Sequence, residues 1–287
     1  MQNVMKSNQD LEKDLRFIEL CSDTTFKYLY KNENTRNWFN RIIKEKFNLD
    51  SSLFTLTDNE LNTGNKYKDY RLDINLKKDD TIFILEMNSS YYRFLEAKNY
   101  QYLYRIAGKR FEEGEEYRKT QTKLILFNNF KNPENNNLKT GNYIFADPET
   151  NIKIEDIESY EIYLPNFKEV CYDSSEIDIS LSLFSCESYE EMKRKTNNPE
   201  DIKIIKELEK LAMDEKFLFE YDEEIARKKT ENSIRSESYE DGLNDGITQG
   251  ISTRNIEIAK SMLKDGMSID IISKYTGLSV KEIEERD

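Results

Sequence analysis

The sequence predicts a mixed α/β fold, a sheet flanked by helices, carried on into a helical C-terminal extension. Three observations predict it. Apolar residues recur at helical spacing up to about residue 47. Two β-rich segments separated by a turn come next, followed by a long helical pattern and a further β-rich segment. After Phe167 the composition becomes charged and helical.

The elements follow in order. Residues 24–30 and 35–47 place Phe26, Leu29 and Tyr30, then Trp38, Phe39, Ile42, Ile43 and Phe47, along one helical face, and Asp23 can cap the first helix. A polar loop with Asn62, Gly64 and Asn65 follows. Residues 70–76 alternate apolar and polar as a half-buried strand does, residues 77–80 read as a turn, and residues 81–87 form a more continuously apolar central strand. Together they predict a hairpin. Residues 94–114 form a long helix with Leu95, Tyr102, Ile106 and Phe111 on one side and Gly114 as its stop. Residues 122–127 form another strand, and residues 143–146 and 160–164 can extend the sheet.

Residues 187–195 and 199–229 are charged and helical, with Pro199 suited to a first helical position after Asn198. Gly242, Gly246 and Gly250 recur at every fourth residue. That density weakens a helix, so a flexible linker is expected there, the alternative being a weak helix whose small face meets a partner chain. Residues 256–263 are amphipathic and Gly266 ends them. Ser268 caps residues 269–275, Gly277 turns the chain, and Ser279 with Glu282 forms a capping box. This order resembles a helix-turn-helix unit. The acidic Glu282, Glu284, Glu285 and Asp287 weigh against DNA reading by it and for a docking or oligomerisation bundle. The expected division is therefore a core at 1–170, an acidic helical region with a linker at 171–253, and a small helical unit at 254–287.

Composition narrows the chemistry. The 287 residues contain no histidine, which excludes a Ser-His-Asp triad, a Cys-His pair and imidazole-held zinc. A metal would be held by carboxylate and carbonyl oxygens, which favours Mg²⁺, Mn²⁺ or Ca²⁺. Cys21, Cys171 and Cys186 are odd in number and widely spaced, so they read as reduced thiols of a cytoplasmic protein. No run of 18 apolar residues is present and residues 1–14 are polar, so neither a membrane span nor a secretory signal is expected. The net charge of −13 counts against a nucleic-acid partner. It is unevenly spread, however. Residues 86–131 hold nine Lys/Arg against six Asp/Glu, a net of +3, whereas residues 200–245 hold eight against fifteen, a net of −7.

Glu86 and Asn88 lie two apart on a strand and so face the same way, while Met87 faces the opposite side. A carboxylate at the end of an apolar strand needs a partner. Asp73, flanked by Leu72 and Ile74 in the preceding strand, can reach it across the hairpin. Two clustered carboxylates repel unless a proton or a divalent cation intervenes, and such a site suits metal-assisted phosphodiester hydrolysis. The bland alternative is charge that simply faces solvent. Likewise Lys98, Arg105, Lys109 and Arg110 can be a solvated helix face, and Asp23 with Lys27 an ordinary i,i+4 pair.

The chain resembles the Rpn-type family of PD-(D/E)XK nucleases, the recombination-promoting nucleases also labelled transposases. The likeness runs through Asp23-Thr-Thr-Phe-Lys27, Lys68-Asp-Tyr-Arg-Leu-Asp-Ile74, Ile84-Leu-Glu-Met-Asn88, Lys98-Asn-Tyr-Gln-Tyr102 and Gly114-Glu-Glu-Tyr117. It continues in the acidic helices, the Gly repeat and Thr276-Gly-Leu-Ser279. The resemblance implies a restriction-endonuclease-like core and a metal-dependent DNA endonuclease of mobile-element type. Asp73 and Glu86 would hold Mg²⁺ or Mn²⁺ and Asn88 would orient the attacking water. Asp23 would support the site, and Lys27, Lys98 and Tyr102 would meet the phosphate backbone. Asn88 stands where many relatives carry Gln and the wider superfamily carries Lys, and Lys98 stands where Arg is common. Both departures bear on turnover, so the alternative is a nuclease-fold protein that has lost it and serves as a binding or regulatory module, phage- or defence-related. DNA is the implied partner, and a homo-oligomer through the C-terminal helices is a further expectation.

Overall fold

The computed structural model describes residues 15–57, 60–61, 70–108, 121–170 and 173–284. The expected loop at 62–65, Lys68, the helix end with Lys109, Arg110 and Phe111, the Gly114–Tyr117 motif and Cys171 lie outside them.

Two helices open the chain, α1 (Asp23–Lys31) and α2 (Glu33–Phe47). The first is capped by Ser22 rather than Asp23, because the Ser22 Oγ accepts the Thr25 N–H at 3.3 Å. Asn32 both ends α1 and starts α2, its Oδ1 accepting the Asn34 N–H.

The strands are β1 (Thr55–Leu56), β2 (Glu60–Leu61), β3 (Tyr70–Arg71), β4 (Ile74–Lys78), β5 (Thr81–Asn88), β6 (Gln121–Asn128), β7 (Thr140–Ala146) and β8 (Lys153–Tyr163). Six of them form one mixed sheet in the order β1-β4-β5-β6-β8-β7, and β2 pairs antiparallel with β3. The β4–β5 hairpin is antiparallel and β5 runs parallel to β6. A parallel pair needs a crossover, which α3 (Leu95–Gly108) supplies. The sheet therefore has the expected sequence of strand, strand, helix and strand around residues 73–88.

Two expectations are corrected here. The strand foreseen at 70–76 is broken: β3 stops at Arg71, β4 begins at Ile74, and Asp73 sits on a bend between them. The turn takes two residues, not four, since Lys78 pairs with Thr81. Asp79 adopts φ 49°, a left-handed conformation that Asp tolerates better than most side chains.

Each face of the sheet has its own core. Phe127 of β6 meets Phe26 of α1 and Phe39 of α2 at ring-centre distances of 5.3 and 6.2 Å. On the other face Ile84, Leu124 and Leu126 pack with Leu72 and with Leu103 and Ile106 of α3. Strand alternation puts Glu86 and Asn88 on the same face as Ile84, further towards the strand end.

The chain divides into two compact units, Met1–Glu224 and Ile225–Asp287. The first thus reaches beyond residue 170 and takes in α4 (Glu176–Ser182), α5 (Tyr189–Lys195) and α6 (Pro199–Leu211). Asp201 joins them to α2. It is fully buried and accepts from Trp38 Nε1 at 2.7 Å, Ser180 Oγ at 2.6 Å, Thr196 Oγ1 at 2.6 Å and Arg41 at 3.2 Å. The segment before α1 is held by the same region. The Ile18 N–H donates to Tyr189, the Glu19 N–H to Tyr221, and Ser22 Oγ, Asp23 N–H and Thr24 N–H all donate to the buried Glu224 carboxylate at 2.8–3.0 Å.

The helix expected over 199–229 is two helices. The first ends at Leu211, and Asp214 then accepts the Lys216 and Phe217 N–H groups at the start of α7 (Glu215–Lys264). The linker expected at Gly242, Gly246 and Gly250 is also corrected, because α7 runs through all three as unbroken helix. Each Gly costs about 1 kcal/mol against Ala. The helix is nevertheless packed at both ends, through Phe217 and Tyr221 and through Ala259, so its costly nucleation is already met.

In the second unit the end of α7 packs with α8 (Ile269–Thr276) and α9 (Val280–Glu284) around Ala259, Ile272 and Ile283. Gly266 and Gly277 take φ 76° and 73° where α7 and α8 end. The capping box forms as its residues predict. Ser279 N–H donates to Glu282 Oε2 at 2.8 Å, and Glu282 N–H donates to Ser279 Oγ at 3.3 Å. No helix among the described residues is long and apolar enough to cross a membrane.

Candidate active site

The ladder between β4 and β5 ends at the Ile74–Leu85 pair. Beyond it the two strands stay joined through side chains. Asp73 N–H donates to Glu86 Oε1 at 3.0 Å, and Met87 N–H donates to Asp73 Oδ2 at 2.8 Å. Each carboxylate therefore spends one oxygen on the other strand's backbone and has a second oxygen facing a lysine. Lys27 Nζ, from α1, lies 2.7 Å from Asp73 Oδ1, and Lys98 Nζ, from α3, lies 3.7 Å from Glu86 Oε2. The bend at Asp73 makes this exchange of backbone bonds, which a regular strand would not.

Both carboxylates are buried, Glu86 to 2% exposure. Burial, and after it the neighbouring Asp73, pushes the Glu86 carboxyl up to about 8, with Lys98 opposing. Burial works against the Lys27 charge, but Asp73, with help from Asp23 and Glu86, holds its pKa above the ordinary value. Lys27 is thus tied to Asp73 through a short ion pair and is also within the electrostatic field of Asp23. Lys98 also lies 5.1 Å from the centre of the Tyr102 ring. Lys27, Asp73, Glu86, Lys98 and Tyr102 therefore meet in one place, with Asp23 one helical turn before Lys27.

Asn88 follows Glu86 on the same face of β5, and its amide nitrogen is engaged on the next strand. Its Nδ2 donates to Asn128 Oδ1 on β6 at 2.8 Å. Asn128 in turn donates to Glu161 on β8 at 3.5 Å, Tyr163 donates its hydroxyl proton to the same carboxylate oxygen, and Asn132 donates to the Tyr163 hydroxyl at 2.6 Å. None of these four partners was singled out from the sequence. A faint signal existed, since Asn128 ends the apolar run Leu124–Phe127 as Asn88 ends its own strand.

The raised Glu86 pKa has a thermodynamic consequence. The folded protein keeps a proton that the unfolded chain loses above the ordinary 4.5. Metal-free stability is therefore expected to fall as pH rises from about 4.5 to about 8, by at most about 1.4 kcal/mol per pH unit. Denaturant unfolding measured across that range without divalent ions checks this, and Glu86→Gln should flatten the slope. A wild-type curve already flat between those limits would contradict it.

The structure thus combines a mixed sheet, a buried carboxylate pair at a strand bend, two lysines facing it and a separate small helical unit. Residues 253–285 match the model of the Rpn/YhgA-like nuclease family, C-terminal HTH domain. This match supports an Rpn-type family assignment for the chain. It also describes the last helices as a helix-turn-helix domain, the reading against which the acidic residues at the C-terminus had been weighed. No curated protein and no solved structure matches the chain.

Proposed function

We propose that the chain is a metal-dependent DNA endonuclease of the recombination-promoting, mobile-element type, with a PD-(D/E)XK-like core. One observation carries this reading. Two buried carboxylates, one at the bend before β4 and one on β5, each keep one oxygen turned away from the backbone, at the end of a strand, strand, helix, strand unit. The helix-turn-helix description of residues 253–285 adds DNA as the partner.

The donor set fits Mg²⁺ or Mn²⁺. Among the described residues no three His, Cys, Asp or Glu side chains gather as a metal cage. Mg²⁺ is commonly held by one or two carboxylates, with waters and substrate phosphate completing its shell. Asp73 and Glu86 would hold the ion, which when bound lowers the pKa of a coordinated water and offsets phosphate charge. Asn88 would orient the water through its carbonyl oxygen. Lys27 and Lys98, displaced from the carboxylates, would turn to the phosphate backbone, with Tyr102 beside Lys98.

The test is cleavage of plasmid DNA by the purified protein with Mg²⁺ or Mn²⁺, beside an Asn88→Lys variant. Lysine there places positive charge next to the reacting phosphate and should preserve or raise cleavage. The second reading, a nuclease fold without turnover that binds or regulates, is favoured by the two lysines, which already face the two carboxyl groups. Metal binding and DNA binding without cleavage by either protein would select it.

A further inference from the structure

The hydrogen bonds leading away from Asn88 have a direction, and that direction is fixed from the far end. Asn132 Oδ1 accepts the backbone N–H groups of Glu134 and Asn135 at 2.9 and 2.8 Å. A backbone N–H can only donate, so the Asn132 amide cannot turn over. Its Nδ2 must therefore face the Tyr163 hydroxyl, which is left to donate its own proton to Glu161. The oxygen that receives it, Glu161 Oε2, also lies 3.5 Å from Asn128 Nδ2. An oxygen acting as acceptor orients the Asn128 amide with nitrogen towards Glu161 and oxygen towards Asn88. The Asn88 amide must then present its nitrogen to Asn128, which it does at 2.8 Å.

We propose that Asn128 and Glu161 are positioning residues that lock the Asn88 amide with its carbonyl oxygen free for the metal site. The inference rests on the nuclease reading and deepens it. Left alone, an asparagine offers either an acceptor or a donor. Only the acceptor can ligate a cation or accept a hydrogen bond from a bound water, and the donor would repel the ion. A neutral residue can therefore serve at this position only if something decides which end it shows. Here three strands supply that decision, from β5 through β6 to β8. A glutamate two residues before a tyrosine on β8 is needed as the acceptor on which the two lines of donors converge.

Two measurements on the full chain test this. The first is metal-free. The Asn88 side-chain NH₂, assigned by NMR with Asn88→Asp as reference, should exchange slowly with solvent, since its partner Asn128 is only 2% exposed. Rapid exchange in the wild type overturns the lock. The second is Mn²⁺ affinity followed by electron paramagnetic resonance. Asn128→Leu and Glu161→Leu should each weaken it about ten- to hundredfold, the usual effect of removing a group that orients a ligand. Glu161→Gln should stay near wild type, because its carbonyl oxygen can still accept from both Tyr163 and Asn128. Wild-type affinity in Asn128→Leu overturns the proposal, as does equal loss in Glu161→Gln and Glu161→Leu. A wild type that binds no Mn²⁺ removes the metal site itself, and the exchange measurement then judges the lock alone. If the leucine variants do not fold, slow exchange in the wild type together with its retention in Glu161→Gln still decides.

Discussion

Asp73→Asn and Glu86→Gln are each expected to abolish metal-dependent cleavage in a protein that still folds. Either change removes an anionic oxygen from the carboxylate pair, in a chain that has no histidine to replace it. Loss of a single transition-state contact costs on the order of 10²–10³ in rate, and loss of an ion ligand should cost at least that. The amide forms are the informative ones. Asp73 and Glu86 each accept a buried backbone N–H from the neighbouring strand. The alanine forms would leave Met87 N–H and Asp73 N–H without partners, at about 1–3 kcal/mol each, and would confuse lost chemistry with lost structure. Amide side chains keep an acceptor for those groups. Cleavage assays beside thermal melts check the expectation. Unchanged cleavage in both variants would mean that the hairpin is structural and the chemistry lies elsewhere.

The largest effect on stability is expected at Asp201. Its carboxylate has no exposure and accepts from four side chains on two helices and a connecting segment. Asp201→Ala leaves the Trp38 indole, two hydroxyls and part of the Arg41 charge without their acceptor. Breaking a buried charged network by removing one partner typically costs about 3–5 kcal/mol. For a unit of this size that corresponds to a melting temperature lower by about 6–20 °C. Asp201→Asn should recover part of it by keeping one acceptor. A melt within two or three degrees of wild type would show that α6 docks through its apolar face alone.

Much of this was legible in the sequence. Helical spacing marked α1 and α2, β-rich runs marked β5 and β6, and a carboxylate ending an apolar strand marked Glu86. Residues 279–282 announced their own capping box. What escaped depended on distant partners or on near-equal local choices. The alternation of Leu72, Asp73 and Ile74 reads as strand whether or not the backbone bends, and only the side-chain bonds to β5 explain the bend. Ser22 and Asp23 are both good caps, and the choice between them is settled by Glu224, some 200 positions later. Asn128 and Glu161 could not be linked to Asn88 before the order of β5, β6 and β8 was known. The glycines of α7 pointed to a linker because local propensity was weighed without the packing at either end of the helix.

The dependence of residues 18–24 on Tyr189, Tyr221 and Glu224 also sets the order in which the protein can be completed during its synthesis. The helix that carries Lys27 leaves the ribosome early, but Glu224, which holds the residues leading into its amino end, follows some 200 residues later. At about 5–20 residues per second, translation needs on the order of ten to forty seconds to span that separation. Throughout that interval the nascent chain holds Asp73 and Glu86 without a seated α1 to bring Lys27 against them. A chain shortened before residue 224 would therefore lack the carboxylate that holds the residues leading into α1.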